Sequence, residues 1–240
     1  VASLSVSVMA HPKRAHLVEP LVDRLGLTGD DVAWDRRGER WDTGRRAWEM
    51  HDPRADWHMV IQEDSIVVRD LIPGLKKALD HVPKECNVCP FVGTRRPAQR
   101  TVQRLISLAE RQRASWIEFP SLFWGLAIIA PTPVIPRMLA FGDSITAYPN
   151  YDKRIGQYFV QKLHWPTYCT WPNLIDHRDD EPSLCGHGPG RIAHRFAGED
   201  ASALDVNWGG PVATYSKLPA VEMRRYYRRG KRIPFSDFQS

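Results

Sequence analysis

No apolar run in this chain approaches the roughly 20 residues needed to cross a bilayer as a helix, so no helical membrane span is expected. Val1 to Ala10 lacks the charged start and cleavage pattern of a secretion signal, and a soluble cytoplasmic protein is expected. Only four cysteines occur, Cys86, Cys89, Cys169 and Cys185, too few for a disulfide framework in 240 residues. Cys86 and Cys89 form a CxxC, whereas the other two are widely spaced. A structural zinc is one use for them, and reduced buried thiols are another. No internal repeat or low-complexity stretch is evident.

What is present suits a folded core: 42% of residues are hydrophobic, and nine are tryptophan. Trp packs cores by default and also supplies stacking platforms. The net charge of +5 favours an anionic partner without choosing among nucleotide, nucleic acid and acidic surface.

Hydrophobic patterning alternates strands with helices up to about Leu163. Leu4 to Met9 reads as a strand, followed by the basic turn His11-Pro12-Lys13-Arg14. A helix over Ala15 to Leu25 has Gly26 as its C-cap. Val32 to Trp34 is a second strand ending at Asp35, and charged Arg36 to Asp42 reads as a loop before a helix capped by Thr43. Asp56 to Ile61 is a third strand. Asp70 caps a helix over Leu71 to His81, Asn87 to Val92 is a strand, and Pro97 to Arg113 is a helix with a basic face. A strand is expected around Trp124 to Ile129, then helices over Val134 to Phe141 and Asp152 to Leu163. Beyond His164, Pro, Trp, His, Gly and Asp dominate, which predicts irregular, site-like structure. The order predicts an α/β fold with a mostly parallel central sheet and helices on both faces. We divide the chain into a domain over residues 1–195 and an irregular extension over 196–240 that ends in a basic tail.

Ligands of such sheets bind at the carboxyl ends of the strands. The most informative stretch is Trp57 to Val68, where an apolar run stops at Glu63-Asp64 and a second apolar run follows. Acids beside buried strand residues need a compensating cation. Asp64 is the first candidate metal ligand and Glu63 the second. His177, or failing it His187, adds an imidazole that suits Mn²⁺ better than Mg²⁺.

Taken in order, Val8 to Arg14, Asp35, Gln62-Glu63-Asp64, Trp124 to Ile129 and Tyr151 to Gly156 resemble the GT-A family of nucleotide-sugar glycosyltransferases. The resemblance covers about residues 1–195 and implies a GT-A-like, Rossmann-like fold. It implies that His11, Pro12, Arg14 and Asp35 hold the nucleoside and phosphates of a sugar donor, by default a UDP-sugar. The acidic motif would hold Mn²⁺ or Mg²⁺ on the diphosphate. Glu63-Asp64 replaces the DxD of many members and is similar to acidic-pair variants, leaving open whether Gln62 or Glu63 assists Asp64. Trp124 and Gly125 would line the sugar and acceptor site, and Asp152 or the competing Asp143 would be the base of an inverting reaction. Pro172 to Asp179 and Gly188 to Arg191 also resemble small glycosyltransferase-like proteins of actinobacterial bacteriophages.

The basic residues Arg95, Arg96, Arg100, Arg104, Arg111 and Arg113 suggest a polyanion surface. The tail residues Arg224, Arg225, Arg228 and Arg229, interleaved with Tyr226 and Tyr227, add to it. The leading acceptor is therefore a hydroxymethylated pyrimidine in phage DNA, with a virion protein or surface glycan as the rival. A different class of reading is a non-catalytic nucleic-acid-binding module built on a four-cysteine zinc.

Overall fold

The structure, a computed structural model, describes residues 1–95, 99–184, 186, 188–217, 227–228 and 231–232. Strand β1 (Leu4–Ala10) leads through a 3-10 turn at Pro12–Arg14 into α1 (Ala15–Leu25). Gly26 closes α1 at φ 66°, the left-handed C-cap its position predicts. Then come β2 (Val32–Trp34), α2 (Arg40–Glu49), β3 (Trp57–Gln62), β4 (Ser65–Val67) and α3 (Leu71–Ala78). The middle of the chain forms β5 (Asn87–Cys89), α4 (Gln99–Gln112), β6 (Trp116–Phe119) and β7 (Ala127–Pro131). Helices α5 (Ile135–Ser144) and α6 (Tyr151–Tyr158) precede β8 (Thr167–Thr170), β9 (Ile175–His177) and β10 (Val212–Thr214). Beyond them lies a two-residue ribbon of β11 (Tyr227–Arg228) and β12 (Lys231–Arg232).

Eight strands form one mixed sheet in the order β10-β6-β8-β5-β7-β3-β1-β2. Strands β1, β2, β3, β5 and β8 run one way, and β7, β6 and β10 run the other. The α/β class and the mostly parallel sheet are as expected, with β7 and the β6–β10 pair supplying the antiparallel joins. Strand β3 lies inside the sheet between β7 and β1, with Trp57, Met59, Val60 and Ile61 fully buried, because both faces and both edges of the strand are covered. No helix among the described residues is long and apolar enough to cross a membrane.

Four local expectations are corrected. Helix α2 starts at Arg40, so Thr43 is inside it and its hydroxyl bonds back to the Glu39 carbonyl at 3.4 Å instead of capping. Asp70 precedes α3 but makes no cap bond; its carboxylate takes the Ser202 hydroxyl at 2.6 Å. The apolar stretch from Trp116 to Ala130 holds two strands, with Trp124 and Gly125 in the segment between them. The segment after His164 is not merely irregular: β8 enters the main sheet, and β9 pairs with β4 as a separate ribbon. Strand β10, beyond the boundary placed near residue 195, pairs with β6 in the same eight-stranded sheet.

Candidate functional site

Register brings the sequence motifs to one edge. Val8 pairs with Val32 on one side and with Ile61 on the other, so β1, β2 and β3 end together. The turn at His11 to Arg14, Asp35 and the Glu63-Asp64 pair therefore emerge side by side. Antiparallel β7 pairs Ala127 with Ile61, which brings Trp124 and Gly125 to the same edge from the opposite direction.

At the β1 and β2 ends, His11 Nδ1 accepts the Lys13 N–H at 3.1 Å, which fixes the turn. Its Nε2 lies 3.9 Å from Asp35 Oδ2. Asp35 Oδ1 accepts from the Arg37 and Gly38 amides at 2.9 and 2.7 Å, leaving its second oxygen toward His11. Pro12 is exposed beside them.

The acid pair is buried. Glu63 is 6% and Asp64 2% exposed, which needs compensation, and the cation is Arg14, itself 5% exposed. Arg14 Nη1 donates to Asp64 Oδ2 and lies 3.4 Å from Glu63 Oε1; its Nη2 donates to the Pro182 carbonyl at 2.7 Å. His177 Nε2 stands 3.2 Å from Asp64 Oδ2, an ion-pair distance, although neither ring nitrogen makes a hydrogen bond. Burial pushes the Asp64 carboxyl up, but His177 and Arg14 outweigh it and hold the group below its ordinary value. Glu63 goes the other way: burial and the neighbouring Asp64 charge raise it to about 7 against the pull of Arg14.

Ser65 was not singled out by the sequence. Facing His177 across the β4–β9 ribbon, it projects from the same side. Arg14 Nε, Asp64 Oδ1, Ser65 Oγ and both His177 ring nitrogens are five of the thirteen buried side-chain polar atoms left without a hydrogen-bond partner among the described residues. Such atoms are rare in folded proteins, and a cluster of them marks a place where a ligand, ion or water belongs. A groove of about 130 Å³ under α1, lined by Leu17, Leu21, Arg24, Ser65, Val67 and Arg178, adjoins the cluster.

The segment after β9 is tied down by acids that sequence reasoning passed over. Asp176 Oδ1 accepts the His177 and Ala193 amides at 2.8 and 2.6 Å. Asp179 accepts the Gly190 amide at 2.7 and 2.6 Å and the Arg191 amide at 3.2 Å. Gly190 has φ 90°, a conformation that L side chains rarely adopt. These bonds fold the segment back so that Pro182 reaches Arg14 and Glu181 reaches His16 at 2.9 Å.

Along the same edge, Gln62 Nε2 donates to the Gly125 carbonyl at 2.9 Å and to the Tyr151 hydroxyl at 3.3 Å; that hydroxyl also donates to Gly125. Gln62 thus braces the start of β7. Asp152 follows in the first turn of α6, whose N-cap is Asn150, so Asp152 is not used as the cap. Burial raises its pKa, as a general base requires. It packs so close to Gly125 that a Cβ there would stand 2.5 Å from Asp152 Cβ. Asp143 is engaged elsewhere: its carboxylate takes Trp41 Nε1 at 2.9 Å and Arg45 Nε at 3.2 Å. Trp124 is packed against Phe91, Phe119 and Phe123, with its Nε1 donating to the Arg95 carbonyl at 3.2 Å, so it is core rather than an open wall.

The zinc reading loses its geometry for the cysteines that are described. Cys86 and Cys89 are buried and donate to different carbonyls, Pro83 at 3.0 Å and Phe91 at 3.3 Å, and Cys169 is buried beside Cys89. No group of three or more His, Cys, Asp or Glu side chains is placed to hold a metal among the described residues. The protein's share of a metal–diphosphate site is smaller than that, one or two carboxylates with phosphate oxygens completing the shell. Asp64, with Oδ1 free of hydrogen bonds, and His177 fit that share.

Arg95 is exposed, with its guanidinium against Gly188 and Gly190. Arg100, Arg104 and Arg111 are exposed on α4. Arg96, His187, Cys185, Arg224, Arg225 and Arg229 lie outside the described residues, and Arg228 is described only as part of β11. No protein-family model matches this chain, and no curated protein matches it.

Proposed function

We propose that this chain is a metal-dependent glycosyltransferase that moves a sugar from a nucleotide diphosphate sugar, by default a UDP-sugar, to a hydroxyl acceptor. One observation carries the reading: buried polar atoms of Arg14, Asp64, Ser65 and His177 that lack a hydrogen bond gather just past the ends of β1 and β3, with His177 Nε2 held 3.2 Å from Asp64 Oδ2. Asp64 and His177 would hold Mn²⁺ or Mg²⁺, which when bound neutralises the charge that develops on the leaving diphosphate. Glu63, raised to about 7, serves the local charge balance. Asp35 and His11 receive the nucleoside at the β1 and β2 ends. Asp152 takes the acceptor proton in an inverting reaction; Asp143, engaged by Arg45 and Trp41, does not.

The acceptor is DNA bearing a hydroxymethylated pyrimidine. Arg100, Arg104 and Arg111 recur at intervals of four and seven along the fourteen-residue α4, forming one exposed stripe. A groove or strand of phosphates suits such a stripe.

The test of the transferase is Asp64→Asn, assayed for UDP-sugar turnover with Mn²⁺. Asparagine is preferred to alanine because it keeps the shape and a partner for buried Arg14. Turnover should fall at least about 100-fold with the far-UV circular dichroism spectrum unchanged; turnover within a few-fold of the parent ends the proposal. Transfer to DNA should weaken steeply with salt, and salt-insensitive transfer to a protein or glycan instead would reject the DNA acceptor while sparing the transferase.

A further inference from the structure

The counter-charge to the acid pair is supplied by the chain itself. Arg14 sits at the entry to α1 with Nη1 on Asp64 Oδ2 and within 3.4 Å of Glu63 Oε1, and Nη2 on the Pro182 carbonyl. All three ionisable groups are more than nine-tenths buried. A guanidinium and a divalent cation are competing solutions to the same need. An ion placed on Asp64 while Arg14 remains would face a like charge in a poorly screened setting. If Arg14 simply left, it would give up its partners inside the protein. A diphosphate removes the conflict, since its oxygens offer the guanidinium a bidentate partner and complete the shell of the ion.

We propose that Arg14 is a resident counter-ion that keeps divalent metal off Asp64 until a diphosphate arrives, so that metal and nucleotide bind as one unit. The part played by the nucleotide rests on the transferase reading; the exclusion of free metal does not. Arg14 is a positioning residue here, and its removal has opposite effects on the two ligands. Nucleotide binding weakens, as for any phosphate-binding arginine, whereas metal binding in the absence of nucleotide strengthens. A merely structural arginine would not produce the second effect.

The experiment measures Mn²⁺ binding to the full chain by electron paramagnetic resonance of the free ion, with and without UDP, for the parent, Arg14→Gln and Arg14→Met. The parent should bind Mn²⁺ about tenfold or more tighter with UDP than without. Without UDP, both variants should bind Mn²⁺ about tenfold tighter than the parent, and UDP should add little. Nucleotide-free binding by the parent as tight as by the variants overturns the proposal, and so does the absence of Mn²⁺ binding in every arm. If UDP binds to none of the proteins but the variants still gain Mn²⁺, the counter-ion role stands and the nucleotide reading fails. Should neither variant fold, Arg14→Lys takes their place: it keeps the charge without the bidentate fork, so it should exclude nucleotide-free Mn²⁺ as the parent does while gaining less from UDP, and equal Mn²⁺ binding by the parent with and without UDP rejects the proposal.

Discussion

His58 lies fully buried beside β1 and α2, with Nδ1 2.8 Å from Ser5 Oγ and Nε2 3.2 Å from both Ser7 Oγ and the Ala47 carbonyl. Burial lowers its pKa to about 4, so it is neutral in the native protein at neutral pH. The unfolded chain takes up this proton near the ordinary value of 6.5, whereas the native state holds out to about 4. The stability tied to His58 is therefore complete above pH 6.5 and is lost as the pH falls through that window. At roughly 1.4 kcal/mol per pH unit the loss is on the order of 3 kcal/mol. Replacing His58 with Gln should flatten the acid limb of a plot of Tm against pH between 6.5 and 4; an unchanged slope would count against this account. The same physics, a charge kept from water, governs Glu63, Asp64 and Arg14. There the groups compensate one another, and the unfinished hydrogen bonding around them is what distinguishes a site from a buried histidine that packs.

Elements meet closely at the other half of the site. Helix α6 is pressed against α2 at Gly44, where a Cβ would stand 2.7 Å from Tyr151 Cβ, and against the segment before β7 at Gly125. Tyr151 and Gln62 both bind the Gly125 carbonyl, so the backbone there has little freedom to retreat. Gly125→Ala should therefore displace Asp152, costing about 1–3 kcal/mol of stability and lowering turnover about tenfold or more. Denaturant melts and single-turnover rates read the two effects; a variant of normal rate would show that the Asp152 position does not matter to the reaction. The sequence displayed helix α6 plainly through its apolar spacing, but gave no sign that Asn150 rather than Asp152 precedes it. Side-chain capping preference does not decide it, because the Asn150 side chain makes no cap bond and instead accepts from Arg40. Thr43 misled in the same way, since a hydroxyl suits either a cap or a bond back within a helix.

At the scale of the molecule, the sheet extends past the expected domain boundary. Trp208 packs against Trp116 in a tilted pair with ring centroids 5.3 Å apart, Trp116 Nε1 donates to the Trp208 carbonyl at 3.1 Å, and β10 covers the β6 edge. A chain ended at Arg195 should lose this edge and fail to unfold cooperatively. Cooperative thermal unfolding of that chain would make residues 196–217 dispensable. Strands β8, β9 and β10 were hard to see because each is only three or four residues long and sits among Pro, Gly and Asp. Three residues are too few to display a period, and their strand character comes from neighbours that complete their hydrogen bonds.

The sequence by itself determined that this chain alternates strands and helices through its first two thirds, that the third strand ends in two acids, and that a basic turn and a lone aspartate follow the first two. Those features are local: they depend on periodicity, caps and the cost of placing charge beside apolar neighbours. Only the tertiary structure decided that Arg14 answers the acids, that β7 runs backward to deliver Gly125 and Asp152 to the same edge, and that His177 and Ser65 share one face of a ribbon. Each of these joins residues tens to more than a hundred positions apart, and register and long-range packing are not written in any single stretch of chain.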